Sequence, residues 1–182
     1  MPKYVIAYLL LSLVMLNGCS LNPFKGQSQQ PLLLLSPAMG PEPTLLKQKL
    51  TFTTSGKQQQ FVVLSDIKPN QFKVLVLMPT GMTLLKMSYD GNDFSQQNLT
   101  DIDIPAEQIM AEIQFALWPE KSLLESYSAE AGWDLQLDDT ARSLYENNTL
   151  RLQLQYTEEM ILIENHRDRY QVKIQLLNAE SD

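Results

Sequence analysis

Apolar residues recur at every second position through most of this chain, and that period breaks once. A period of two marks strands with a buried face, because successive side chains leave a strand on opposite sides. Leu50 and Phe52 alternate with Lys49 and Thr51, and Phe61-Val62-Val63-Leu64 gives a second strand. The third, Gln71 to Met78, sets Phe72, Val74, Val76 and Met78 on one face and Lys73, Leu75 and Leu77 on the other, as in a central strand covered on both sides. Leu85, Met87 and Tyr89 share a face in the fourth, Asp90-Gly91 marks a tight hairpin, and a weaker strand runs from Phe94 to Leu99. The period then changes. Pro105-Ala106-Glu107 opens a helix, with proline in its first turn and an acid at the positive end of the dipole. Ile109, Ile113, Ala116 and Leu117 follow at helical spacing, Pro119 stops the run after Trp118, and a second short helix spans Glu120 to Tyr127. Alternation resumes with Trp133, Leu135 and Leu137, then Leu150, Leu152, Leu154 and Tyr156. Ile161 and Ile163 continue that row, and Tyr170, Val172, Ile174 and Leu176 close the chain.

The layout predicts a mainly β (α+β) domain of about ten strands, with two helices in the middle of the order. Ten strands at about 4.8 Å spacing span more than about 40 Å, and two helices of about 10–12 Å each cover about half of that. An uncovered apolar face does not stay flat in water. The antiparallel sheet is therefore expected to curl into a half-barrel over its two central helices. Its concave face would be lined by Phe72, Val74, Val76, Met78, Leu85, Met87, Tyr89, Ile109, Ile113, Trp118 and Trp133. Two contents fit that concavity: the side chains themselves, or a hydrophobic cargo with the helices as a lid. Met78, Met82, Met87, Met110 and Met160 would adapt to a ligand or fill core gaps. Trp118 and Trp133 would frame a cavity mouth or serve as core aromatics.

Composition removes most chemistries. With 14 Lys+Arg against 21 Asp+Glu the net charge is −7, and no basic cluster stands in the sequence to hold phosphates, so no nucleic-acid partner is expected. One cysteine excludes an internal disulfide, and one histidine excludes motifs built on a histidine pair. There is no G-x-S-x-G elbow. His166, between Asn165 and Arg167, reads as a solvated hairpin residue, and Asp138-Asp139 and Glu158-Glu159 read as solvated acids at strand ends. No catalytic residue, metal site or cofactor is expected, and the chain is not expected to be an enzyme.

The N-terminus carries a different message. Met1-Pro2-Lys3, an apolar run from Tyr4 to Leu16 and small residues before Cys19 describe a secretory signal. As a helix the run reaches roughly 20 Å, short of a ~30 Å hydrocarbon core. Leu16-Asn17-Gly18-Cys19 resembles the bacterial lipobox, which implies removal of residues 1–18 and lipid attachment at Cys19. Ser20, where an aspartate signals retention in the inner membrane, then implies the outer membrane, facing the periplasm. Residues 19–46, with Pro23, Pro31, Pro37, Pro41 and Pro43, read as a Pro/Gln-rich tether, and 47–178 as the folded domain. Leu32-Leu33-Leu34-Leu35 is out of place in a free linker. Either it docks on the domain or it rests at the lipid surface.

Lipobox, tether and a strand–helix–strand curled sheet together resemble the LolA/LolB-type periplasmic lipoprotein carriers and acceptors. From about Lys47 to Leu177 the chain also resembles uncharacterised bacterial outer-membrane lipoproteins often encoded beside aryl-polyene biosynthesis genes. That likeness rests on Met78-Pro79-Thr80-Gly81, Leu85-Lys86-Met87-Ser88-Tyr89-Asp90-Gly91, Ile113-Gln114-Phe115-Ala116-Leu117-Trp118-Pro119 and Gly132-Trp133. It implies a half-barrel that binds or passes a hydrophobic cargo, such as a lipid, an acyl chain or an aryl-polyene lipid. The partners implied are lipoprotein-sorting or aryl-polyene export components. The turn Pro79-Thr80-Gly81 is short and polar where the LolB-type acceptor projects a leucine. The other expectation is a scaffolding envelope lipoprotein with a filled core that binds a protein partner.

Overall fold

The computed structural model describes residues 30–177. The expected signal peptide, Cys19 and the tether before Gln30 lie outside the described residues. The strands are β1 (Thr44–Thr54), β2 (Lys57–Lys68), β3 (Gln71–Leu77), β4 (Thr83–Tyr89) and β5 (Phe94–Asn98), then β6 (Trp133–Asp138), β7 (Ala141–Glu146), β8 (Thr149–Tyr156), β9 (Ile161–Asn165) and β10 (Tyr170–Leu176). Between the two groups stand helices α1 (Ala106–Leu117) and α2 (Glu120–Ser126). All ten strands form one curled, open antiparallel sheet in the order β5-β4-β3-β2-β1-β10-β9-β8-β7-β6. Each group is a meander of neighbours in sequence, and β1 and β10 join the two across the middle, from Gln48 opposite Leu176 to Thr54 opposite Tyr170.

Local chemistry sets the turns. Ser55-Gly56 and Asn147-Asn148 both hold positive φ at both residues, the geometry that lets a two-residue hairpin follow the strand twist. The Asp90 carboxylate accepts from the amides of Asn92 and Asp93 to close the β4–β5 turn. The outer strands β5 and β6 leave free edges, and β5 shows exposed Ser95, Gln96 and Gln97 there, polar side chains that discourage pairing with another chain.

Three details depart from the sequence reading. First, β1 starts at Thr44, inside the segment read as tether, and residues 31–43 lie against the domain. Second, Ile161 and Ile163 do not continue the row of β8: the chain turns at residues 157–160, and Ile161 pairs back with Tyr156. Third, β7 intervenes between β6 and β8.

The helices lie within the curl. Helix α1 is buried at Ala106 and at every position from Met110 to Ala116, so it has no solvent face over its second half. Inward side chains from both sheet halves meet it, among them Phe72, Leu85 and Met87 from one and Leu144, Leu152 and Ile163 from the other. Among the described residues no helix is long and apolar enough to cross a membrane.

Candidate functional site

Of the eleven residues expected along the concave face, Phe72, Val74, Leu85, Met87, Tyr89, Ile113, Trp118 and Trp133 are buried, while Val76, Met78 and Ile109 are half-buried. All but Met78 belong to one packed core; Met78 lies past the end of β3, in the turn to β4, and does not join it. Phe72 of β3 meets the Trp118 ring at 5.0 Å, and Phe115, Tyr127 and Trp133 form an edge-to-face series at 5.6 and 5.4 Å.

The space beside the helices is taken by the leucine segment. Leu32 and Leu35 are only 5% and 4% exposed, and Leu33 and Leu34 pack half-buried against the same core. The segment joins no strand, so its backbone needs other partners. Gln114 of α1 supplies two: its Oε1 accepts from the Leu35 amide at 2.8 Å, and its Nε2 donates to the Leu35 carbonyl at 2.7 Å. Tyr127 accepts from the Leu33 amide, Trp118 Nε1 donates to the Ser36 carbonyl, and Ser122 donates to that of Met39. Gly40 lies so close to Trp118 that a Cβ would sit 3.1 Å from the ring. Of the two placements open to the leucines, the structure shows docking. The segment is a strap.

Helix α1 is tied down at both ends, which does not suit a lid. At its C-terminus Arg142 Nη1 donates to the carbonyls of Phe115, Ala116 and Trp118, and the Tyr156 hydroxyl donates to Ala116. A cation there also complements the negative end of the dipole. Toward its N-terminus, Glu112 Oε1 accepts from Tyr170, from Asn165 at 2.8 Å and from Gln108 at 3.1 Å. Gln108 continues the network to Asp168 and Arg167 in the β9–β10 turn.

The opposite face of the sheet holds a groove of about 550 Å3. Leu64 and Leu75, directly paired across β2 and β3, belong to its lining, with Leu45, Lys73, Lys86 and Gln97. Nothing in the sequence reading placed a site on this outer face.

A family model described as "Protein of unknown function (DUF3261)" matches residues 45–178. The chain belongs to this family. No curated protein matches it. The matched span opens one residue into β1, so the strap precedes the DUF3261 match although two of its leucines are part of the core.

Glu112 of the DUF3261 domain has a testable electrostatic consequence. Burial pushes its carboxyl above the usual range, against the opposing bonds from Tyr170, Gln108 and Asn165. The folded state therefore binds a proton that the unfolded chain has released, and stability from this group falls as pH rises from the ordinary carboxyl range through the raised value. Glu112→Gln keeps an oxygen acceptor and does not titrate. Its urea midpoint should gain on the wild type as the pH is raised from acid to neutral. A gap that stays constant with pH would show that Glu112 does not titrate abnormally.

Sequence reasoning missed Gln108, Glu112, Gln114 and Arg142, all of them polar groups turned inward. Gln114 carries the only advance signal, a polar residue between Ile113 and Phe115 with no solvent-facing phase left to it.

Proposed function

We propose that this DUF3261 protein is a lipoprotein of the outer membrane, anchored through Cys19, whose domain binds a hydrophobic chain on the concave side of its sheet. The observation that carries the reading is the strap. An extended apolar segment already sits beside the helices, held by side-chain hydrogen bonds rather than by a strand ladder, and a lipid or acyl chain would take the place of Leu32 and Leu35. Because α1 is fixed at both ends, admission of cargo requires the strap to leave and not the helix to swing. The likeness to LolA/LolB-type carriers supports the same direction of function. The aryl-polyene lipid, and sorting or export partners, rest on the motif likeness alone.

The filled concavity also favours a second reading, a scaffold whose surface binds an envelope protein, and one preparation separates the two. Metabolic labelling with palmitate should mark the full chain and not Cys19→Ala; equal labelling would defeat the anchor. The chain from Ser20 onward contains every described core residue, and it should bind a fluorescent fatty acid saturably. Amide exchange in residues 31–43 should then accelerate while β3 and β8 stay protected. Absence of uptake would leave the scaffold, and uptake without any change in the strap would place the cargo elsewhere.

A further inference from the structure

The outer face of β1–β4 and β10 concentrates positive charge on a chain whose net charge is −7. Side chains alternate along a strand, so with Leu46, Gln48 and Leu50 turned inward, Leu45, Lys47 and Lys49 of β1 point outward. In register beside them stand Val62 and Leu64 of β2, Lys73, Leu75 and Leu77 of β3, Lys86 of β4 and Lys173 of β10. With Lys68 at the end of β2, six lysines thus share this face. Its single carboxylate, Asp66, is already held by Lys68 at 2.8 Å. The apolar groove lies on this face, with Leu64 and Leu75 in its lining beside Lys73 and Lys86, and Leu45, also in its lining, is 68% exposed.

An apolar floor framed by long cationic side chains matches one partner in both its parts. Lysine stems lie along apolar surface while their ammonium groups reach outward. A bilayer containing anionic phospholipid offers phosphates at the level of the ammonium groups and hydrocarbon below them. We propose that the outer face of β1–β4 docks on an anionic phospholipid surface, with Leu45, Leu64 and Leu75 toward the lipid and Lys47, Lys49, Lys73, Lys86 and Lys173 against its phosphates. The contact uses the face opposite the strap, and it stands whether or not the concave side carries cargo.

The test is cosedimentation of the chain from Ser20 onward, which lacks any acyl anchor, with vesicles of phosphatidylcholine alone or mixed with phosphatidylglycerol. Binding is expected to the mixed vesicles only and to weaken with salt. Each lysine at an anionic surface is worth about fivefold in partitioning, so Lys73→Gln with Lys86→Gln should reduce it about 25-fold. Lys121→Gln, on α2 and away from this face, should leave it unchanged. Leu45→Ser should lower the binding that remains at high salt. These positions are on the surface, so the variants keep the fold, checked by circular dichroism. Failure of the wild type to bind mixed vesicles, or equal binding by the double variant, overturns the proposal. Binding of polyglutamate without binding of vesicles would overturn it in favour of an acidic protein.

Discussion

Replacing Leu32 and Leu35 together by alanine is expected to lower the unfolding free energy by about 4–6 kcal/mol, because each is a fully packed leucine whose removal leaves a cavity. A tether lying loosely on the surface would show less than about 0.5 kcal/mol for the same change. Urea denaturation of the chain from Ser20 onward decides between these values. The loss should be large because the strap is not independent of the helices. Gln114 satisfies both backbone groups of Leu35, and once the leucines no longer hold the strap in place, that buried amide loses its partners. A loss near zero would turn the strap back into a linker and remove the observation on which the proposed cargo site rests.

Trp118→Ala should cost about 3–5 kcal/mol, the range for deleting a large buried aromatic. The ring is 0% exposed, and three parts of the molecule converge on it. Phe72 brings β3 to its face, Gly40 and the Ser36 carbonyl bring the strap, and its own carbonyl accepts from Arg142 of β7. Trp118→Phe serves as the control. It retains much of the ring volume but loses the bond from Nε1 to Ser36, and should cost about 1–2 kcal/mol. If the two variants unfold at the same denaturant concentration, the hydrogen bond and not the volume carries the effect.

The strands that the sequence made legible are those with an uninterrupted run of inward apolar residues, such as β4 with Leu85, Met87 and Tyr89. Strand β7 was not, for a physical reason. Its inward row is Arg142, Leu144 and Glu146, and the two charged members are spent on the end of α1 and on Arg151. An alternation read from hydrophobicity alone does not register a strand whose inner face is partly ionic. The β8–β9 hairpin was hidden differently. Ile161 and Ile163 repeat the period of β8, and only the reversal at residues 157–160 separates the two strands. Ten of the eleven concave-face residues, all but Met78, were found as core because burial follows the period. Whether they enclose cargo depends on what fills the space between them, which periodicity does not encode. The lysine face escaped for the opposite reason. Its members are scattered from residue 47 to residue 173 and meet only once the sheet registers are set.

The central joint between β1 and β10 couples the order of synthesis to the order of folding. Strand β1 leaves the ribosome early, yet one whole side of its ladder waits for β10, the last described element of the chain. Closing a loop that spans nearly the whole domain is slow compared with forming the neighbouring hairpins. Until β10 has been made, the two meanders have no shared middle. The sheet thus has a single long-range seam at its centre, and everything on either side of that seam is built from pairings between neighbours in sequence.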